Sequence, residues 1–318
     1  MVSQNAPRAL AGEIAPVLRS IANVVVGKAE AVEQTLVAVL AGGHLLVEDV
    51  PGVGKTTLAR ALARSIGGSF SRIQCTPDLL PSDVTGVHVL DQRQGTFVFQ
   101  QGPVFANVVL ADELNRATPR TQAALLEAME ERQVTLEGTT RPLPSPFLVI
   151  ATQNPIELEG TFPLPEAQLD RFLLRLRIGY PDEHGEQELI DRFARAAPLD
   201  EVHPVLDLQR LTALIRSVRE IRVEPSVRNY VVALVRATRE HNAVRLGASP
   251  RATLALFHAA QALAAIKGRT FVVPDDVKAL IAPVLGHRLL LNSQARLRGR
   301  SELTVLDEVV AATPVPVE

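Results

Sequence analysis

The segment Val50–Thr57, which reads VPGVGKTT, constrains the fold of this chain more than any other feature. It lies between an apolar run that predicts a buried strand, His44–Glu48, and a run that predicts a helix, Thr57–Ser65. The glycines let the backbone turn tightly, and the loop amides and the start of the helix form a nest for an anion. Lys55 adds a positive charge for terminal phosphates, and Thr56 adds a hydroxyl for their Mg²⁺. The predicted phosphate-binding residues are Pro51, Gly52, Val53, Gly54, Lys55, Thr56 and Thr57.

One position departs from the usual pattern of such loops. Where that pattern has a glycine, five residues before Gly54, this sequence has Asp49. Aspartate tolerates unusual backbone angles, so we expect the loop to form nevertheless. The alternative is a glycine-rich turn without a ligand. A Gly-Lys-Thr-Thr run directly after an apolar strand makes that the minor interpretation.

Strands and helices alternate through the first half of the chain. Further apolar runs predict strands at Ser69–Gln74, Asn107–Asp112, Phe147–Thr152 and Phe172–Ile178, and helices are predicted at Pro119–Arg132 and Glu166–Asp170. This alternation predicts an α/β fold with a mainly parallel sheet covered on both faces.

The second half of the chain is almost entirely helical in its pattern. The predicted helices are Asp207–Glu220, Ser226–Asn242, Pro250–Lys267 and Asp275–Leu285. Ser249 followed by proline indicates a helix start, and Lys267 followed by glycine indicates a stop. With 318 residues the chain exceeds what one core usually serves. We predict an α/β core over residues 1–180, a linker over 181–200 and a smaller all-α domain over 201–318.

A hairpin interrupts the alternation at about residues 84–103. Val87–Leu90 and Thr96–Gln100 have strand character, and Asp91–Gly95 between them has turn character. An insertion of this kind costs stability unless it has a use. An ordinary surface hairpin is the alternative.

The strand Asn107–Asp112 ends in two carboxylates, Asp112 and Glu113. Burying charges at the end of a strand costs free energy unless a cation or another partner binds them. We expect this strand to lie beside the phosphate loop, with Asp112 holding Mg²⁺, directly or through water, and Glu113 acting as general base on the attacking water. The alternative is that both carboxylates cap the helical turn near Asn115.

Asn154 follows the strand Phe147–Thr152 and could orient water or touch a γ-phosphate. A turn residue before Pro155 is the alternative, and in isolation it is the better interpretation.

Several arginines could contact a phosphate, because their planar fork donates hydrogen bonds in pairs. Arg171 lies between a predicted helix and the last strand, Arg251 opens a helix, and Arg116 and Arg120 flank the helix after the acidic strand. For any one of them alone, a solvated ion pair is the better interpretation.

Taken together, these motifs resemble the MoxR family of AAA+ ATPases, in the branch with an insert in helix 2. The resemblance rests on the motifs GVGKT at 52–56, TPDLLPSD at 76–83, LADELNR at 110–116, ATQNP at 151–155 and PEAQLDRF at 165–172. It extends from about Val25 to beyond Val277. The family fold is a P-loop AAA+ core, a five-stranded parallel sheet flanked by helices, followed by a helical lid.

The resemblance implies a role for each residue that matches a motif. Lys55 and Thr56 match the Walker A motif, Asp112 and Glu113 match Walker B, and Asn154 matches sensor 1.

Two arginines and a valine–glycine pair gain roles in the same way. Arg171 matches the arginine finger, which reaches the γ-phosphate of a neighbouring subunit. Arg251 matches sensor 2 of the lid and could serve its own site or a neighbour's. Val26 and Gly27 match the segment behind the adenine ring, and the hairpin Val87–Gln100 matches the helix-2 insert that tends to face a central pore.

The expected activity is Mg²⁺-dependent ATP hydrolysis by a homo-oligomeric ring, with ATP and Mg²⁺ as ligands. By resemblance the ring is a hexamer that matures a client protein, with an adaptor carrying a von Willebrand factor A domain as a partner. A nucleotide-switched assembly scaffold and a DNA-acting motor are the alternatives. The base Glu113 argues against the first, and the lack of a basic recognition element argues against the second.

Composition bounds the remaining possibilities. The net charge is −2, so nothing global favours a nucleic-acid partner. No apolar run is long enough for a membrane span, and the N-terminus lacks a signal-peptide pattern. The only cysteine, Cys75, cannot form an internal disulfide, so we expect a protein of the reducing cytoplasm. We expect Cys75 to pack as a small apolar residue.

Overall fold

The computed structural model describes residues 6–155, 160–194 and 198–316. The strands are β1 (Leu45–Glu48), β2 (Phe70–Gln74), β3 (Gly86–Asp91), β4 (Thr96–Gln101), β5 (Val108–Asp112), β6 (Gln133–Leu136), β7 (Thr139–Pro142), β8 (Leu148–Gln153), β9 (Leu174–Leu176), β10 (Val244–Leu246) and β11 (Leu290–Leu291). The helices are α1 (Ala6–Ala22), α2 (Ala29–Ala41), α3 (Lys55–Ser65), α4 (Pro81–Thr85), α5 (Pro119–Glu131), α6 (Glu166–Leu169), α7 (Glu183–Phe193), α8 (Leu208–Val218), α9 (Pro225–Glu240), α10 (Pro250–Ile266), α11 (Pro274–Leu285), α12 (Ser293–Leu297) and α13 (Glu302–Ala312).

The centre of the molecule is a five-stranded sheet in the order β2-β5-β8-β1-β9. All of its strand pairs are parallel. Its strands are continuous apolar runs because both faces are covered. In β1, Leu45 and Val47 belong to the core on one face and Leu46 to the core on the other. The predicted α/β fold class is confirmed.

The strand order shows how the acidic strand is placed relative to the phosphate loop. β8 lies between β5 and β1, so the acidic strand is not the immediate neighbour of the strand that leads into the loop. Adjacent strands are about 4.8 Å apart, so the ends of β5 and β1 are separated by roughly twice that distance. The residues after β8, including Asn154, therefore come between the loop and the acidic pair.

The helical second half shares a core with the sheet. Helices α1, α2 and α3 and the helices from α8 onward bury their apolar side chains in one continuous cluster on the same face of the sheet. Helices α2 and α10 pack directly against each other. This half also contains a short antiparallel pair, β10 and β11, which an all-helical prediction did not include.

Helix α10 begins and ends where its sequence signals predict. The Ser249 side chain accepts a hydrogen bond from the Ala252 amide, and the helix continues from Pro250 to Ile266. Gly268 follows with φ +73°, the left-handed conformation that glycine adopts most easily. Helix α7, in contrast, occupies most of the segment predicted as a linker.

Two hairpins project from the core. The predicted one consists of β3 and β4. The second, β6 and β7, was not predicted, although Glu137 and Gly138 form its turn with positive φ, a common hairpin signal. His88 of the first hairpin lies 3.1 Å from Glu137 of the second, so the two hairpins contact each other.

Among the described residues, none of the helices is both long and apolar enough to cross a bilayer.

His44, directly before β1, is buried and fixed in a neutral form. Its Nδ1 accepts a hydrogen bond from the Val149 amide at 2.9 Å, so its Nε2 donates to the Met129 carbonyl at 3.1 Å. Burial, and then the nearby charge of Arg132, lower the pKa of His44 to about 3.

Acidification should therefore lower the free energy of unfolding. The unfolded chain binds a proton at His44 near pH 6.5, whereas the folded chain does so only near pH 3. The stabilisation is complete above pH 6.5 and is lost toward pH 3, at up to about 1.4 kcal/mol per pH unit. Urea unfolding at a series of pH values measures this slope.

The matched variant is His44→Gln, which keeps a donor and an acceptor but does not titrate. We expect a shallower slope in this variant. The slope should not vanish, because His287 is also buried and burial lowers its pKa. Equal slopes in parent and variant would contradict the assignment.

Candidate functional site

The loop between β1 and α3 has the geometry of an anion nest. Gly52 and Gly54 have φ of +87° and +92°, which is the left-handed region. A Cβ built on either glycine meets no atom within 4 Å. The backbone conformation therefore requires these glycines, and the space above them is open. Helix α3 begins at Lys55 and points its N-terminus into this space, which favours a bound anion.

Asp49 stabilises the loop in a way that the sequence did not predict. We expected it to adopt unusual backbone angles, but its φ is not among the positive ones. Its carboxylate instead accepts hydrogen bonds from the amides of Val50 at 2.9 Å and of Ile178 and Gly179 at 2.6 Å each. Asp49 thus joins the phosphate loop to the residues after β9.

Lys55 lies inside the site. Its ammonium group donates to the Asp49 carbonyl at 2.6 Å. Burial lowers the pKa of Lys55, and the charges of Asp49, Asp112 and Glu113 oppose that shift. The acidic pair is therefore within electrostatic range of the lysine, although a strand separates their elements.

Thr152 of β8 fixes the acidic residues at the end of β5. Its hydroxyl donates to Asp112 Oδ1 at 2.6 Å and accepts from the Glu113 amide at 2.8 Å. Glu113 has φ +57° and ψ +48°, a left-handed conformation that costs energy for a residue with a side chain.

Neighbouring polar groups contact Asp112 and Glu113, and of these the sequence analysis had singled out only Arg116, as a possible phosphate contact. Arg72 donates to Asp112 Oδ2 at 2.6 Å. Gln74 and Arg116 donate to Glu113 Oε2 at 3.1 and 2.9 Å. Arg72 and Gln74 alternate on β2, which pairs with β5, so strand register was the only signal that could have found them.

The residues present fit a Mg²⁺ ion that is shared with phosphates. Mg²⁺ usually takes one or two protein oxygens and completes its shell with phosphate and water. Thr56 offers a hydroxyl in the first turn of α3, and Asp112 offers a carboxylate at the strand end. In the described part of the chain there is no cluster of three acidic, histidine or cysteine groups that could enclose a metal alone.

A cavity of about 210 Å³ adjoins the loop. It is lined by Val24, Val25, Val26, Lys28, Gly52, Val53, Gly54, Thr57, Tyr180, Pro181 and Leu189. Val26 is thus beside the phosphate loop, whereas Gly27 lines the adjacent cavity. Leu189 belongs to α7, so the predicted linker forms one wall. Apolar walls beside a phosphate nest suit a nucleotide base.

Asn154, the first residue after β8, is buried at the same edge of the sheet. It lies between the acidic end of β5 and the end of β1, as the strand order requires.

Arg171 and Arg251 lie together at the opposite edge of the sheet, which is the edge where the parallel strands begin. Arg171 precedes β9, and the Leu173 amide bonds to the carbonyl of His44, which precedes β1. Both arginines pair with Glu130 near the end of α5: Arg171 Nε lies 3.1 Å from Glu130 Oε2, and Arg251 donates to Glu130 Oε1. Glu130 was not predicted from the sequence. The phosphate loop follows the end of β1, whereas the two arginines lie near the start of β1. The length of β1, about 13 Å, therefore separates the arginines from the loop.

Cys75 is buried beside the acidic residues, where its amide donates to the Asp112 carbonyl. Burial, with the charges of Asp112 and Glu113, raises the pKa of its thiol to about 12. The expected packing role of Cys75 therefore agrees with its environment.

Asp49→Ala should lower the free energy of unfolding by about 2–4 kcal/mol, because three backbone amides lose their acceptor. Asp49→Asn should cost less, since one amide oxygen can still face Ile178 and Gly179. Urea unfolding at neutral pH measures both changes. A cost for Asp49→Ala within about 0.5 kcal/mol of zero would show that the carboxylate does not stabilise the loop.

Comparison with known proteins places these motifs in a family. The family model described as "ATPase family associated with various cellular activities (AAA)" matches residues 44–174, and the model described as "AAA lid domain" matches 236–309. The chain is 48% identical to the uncharacterized protein YeaC of Bacillus subtilis, covering 94% of this chain and 93% of that protein.

Two further relatives and a solved structure agree. Identity is 44% to chaperone MoxR1 of Mycobacterium tuberculosis (96% and 84% of the two chains) and 34% to protein MoxR of Methylorubrum extorquens (94% of each). A crystal structure from Cytophaga hutchinsonii, provisionally described as an ATPase, superposes with a TM-score of 0.92 at 36% identity, over 99% of this chain and 98% of that one. This chain belongs to the MoxR family of AAA+ ATPases.

Proposed function

We propose that this protein hydrolyses ATP with Mg²⁺ as part of a homo-oligomeric ring, in which each active site forms between two subunits. The observation that carries this proposal is the division of the charged groups between two edges of one sheet. Lys55, Asp112 and Glu113 lie at the carboxyl edge, whereas Arg171 and Arg251 lie at the amino edge.

Neither arginine can serve the phosphate loop of its own chain. The length of β1, about 13 Å, separates the two edges, and an arginine side chain does not span it around a filled core. A neighbouring subunit in a head-to-tail ring would bring its amino edge to this carboxyl edge. Arg171 and Arg251 would then both act in trans, since they share one carboxylate, Glu130, and so lie side by side.

At the carboxyl edge, each residue would have a defined task. The loop amides and Lys55 bind the β- and γ-phosphates, and the cavity beside Val26 holds the base. Glu113, held by Gln74 and Arg116, orients a water and accepts its proton as the water oxygen bonds to the γ-phosphorus. The bond to the bridging oxygen breaks, so ADP and phosphate leave. Asn154, which is buried at this edge, would help to orient the water.

Mg²⁺, when bound, would neutralise charge on the β- and γ-phosphates. Thr56 and Asp112 are the residues that would hold it.

The energetic cost of the Glu113 conformation favours ATP hydrolysis over a static, nucleotide-bound scaffold. The residue adopts a left-handed backbone conformation and engages two donors, and a pure nucleotide switch has no need of a base.

A chaperone-like role is our proposal for the use of this turnover. It is supported by the name of a relative, chaperone MoxR1, and by the exposed apolar side chains of the β3–β4 hairpin. Leu90 and Phe97 are directly opposite each other in the hairpin register and are 48% and 70% exposed, so together they offer an apolar surface to a client protein. A hexameric ring and a von Willebrand factor A-type adaptor rest on family resemblance.

Specific ATPase activity should rise steeply with protein concentration, because a lone subunit lacks the arginines of a neighbour. Arginine fingers in related chemistry contribute about 10³–10⁵ in rate, so the rise should be at least tenfold across assembly. Steady-state phosphate release over a dilution series, with light scattering for the assembly state, measures it.

Two variants serve as controls for the dilution series. Lys55→Ala should abolish turnover at every concentration, and Glu113→Gln should bind ATP but not hydrolyse it. Activity per subunit that stays constant from monomer to assembly would refute the shared active site.

A further inference from the structure

Arg288 is a buried arginine in the helical half that the mechanism above does not use. It ends the short turn Gly286–Arg288 that follows α11, and its side chain is 2% exposed. A fully buried guanidinium is costly unless every donor is paired. Each of its five N–H groups has an acceptor, and all but one of these acceptors lie in the α6–β9 loop that carries Arg171.

The acceptors lie on both sides of Arg171 in the sequence. Arg288 Nε donates to Asp170 Oδ1 at 2.8 Å, and Nη2 donates to the carbonyls of Asp170 at 3.1 Å and Phe172 at 2.6 Å. Nη1 donates to the carbonyl of Leu173 at 3.1 Å and also to Val284 in its own half. The guanidinium thus fixes the backbone directly before and after Arg171.

The same network reaches Arg251 through Asp170. The second oxygen of Asp170 accepts the Ser249 hydroxyl at 2.8 Å. Ser249 caps α10, whose first turn carries Arg251. One carboxylate therefore connects the α10 start, the Arg171 loop and Arg288.

Cost and geometry argue for a positional role. Burial lowers the pKa of Arg288 and the charge of Asp170 opposes this, so the group is charged at a desolvation cost. Apolar replacements of buried ion pairs often fold as stably. What they cannot supply is a planar set of donors that holds several carbonyls in fixed positions.

We propose that Arg288 is a positioning residue that holds Arg171 and Arg251 in the arrangement required to enter a neighbour's active site. This inference rests on the proposed shared active site. Through Arg288, the positions of the two arginines depend on the helical half. Movement of that half would therefore shift the arginines relative to the phosphates bound by the next subunit.

The test mixes two inactive variants. Arg288→Lys keeps the positive charge and an intact nucleotide pocket but cannot hold the loop that carries Arg171. Lys55→Ala has a defective pocket but keeps Arg171 and Arg251 in place. Alone, Arg288→Lys should bind a fluorescent ATP analogue within about twofold of the parent, and its ATPase activity should fall at least about tenfold. An equal mixture should recover up to about a quarter of parental activity, because random head-to-tail assembly pairs an intact pocket with intact arginines at that frequency.

The outcomes separate positioning from mere folding. A structural role would not be repaired by a second inactive variant. Parental activity in Arg288→Lys, or no recovery in the mixture, would overturn the proposal. If Arg288→Lys does not fold, Asp170→Asn, which weakens the same network from the other side, takes its place with the same expected recovery and the same overturning result.

Two controls complete the design. Arg298→Lys changes an exposed arginine of the same half and should leave activity unchanged. Arg171→Ala mixed with Lys55→Ala tests the shared site itself. Recovery with Arg171→Ala but not with Arg288→Lys would refute this inference alone, and recovery with neither would refute the shared site.

Discussion

Parallel pairing of the five central strands is the constraint on which the rest of the structure depends. Because all of the strands run in one direction, every strand ends at one edge and starts at the other. Asp112 is the last residue of a strand, and the phosphate loop and Asn154 follow strand ends, whereas Arg171 precedes a strand. In the proposed shared active site, a single sheet would thereby present the two halves of that site at opposite edges.

Two aspartates connect this sheet to its surroundings, one at each edge. Asp49 accepts amides from its own loop and from the residues after β9, and so fixes the phosphate loop. Asp170 accepts from Arg288 and Ser249, and so fixes the loop that carries Arg171. Both carboxylates hold a loop in place through hydrogen bonds within the chain, Asp49 to backbone amides and Asp170 to side chains. We infer that the rigidity of each half-site comes from buried hydrogen bonds of this kind.

Local motifs were predictable from the sequence and long-range pairings were not. The Gly52–Thr57 loop and the Ser249 helix cap were recognisable because their geometry depends on neighbours in the chain. The insertion of β8 between β1 and β5 depends on crossover connections that the apolar pattern of the strands does not encode. Glu130 and Arg288 were missed for a similar reason, since the partners in their ion pairs are at least 40 residues away in the chain and a lone charged residue has no periodic signal. Family resemblance, rather than physical reasoning from sequence, supplied the interest in Arg171 and Arg251.

The most direct measurement is a cryo-electron microscopy structure of the Glu113→Gln variant with ATP and Mg²⁺. The shared-site account predicts a closed ring in which Arg171 and Arg251 have left Glu130 and contact the γ-phosphate held by Lys55 of the adjacent subunit. Particles in which both arginines remain on Glu130, with ATP bound and no second subunit near the phosphates, would contradict it.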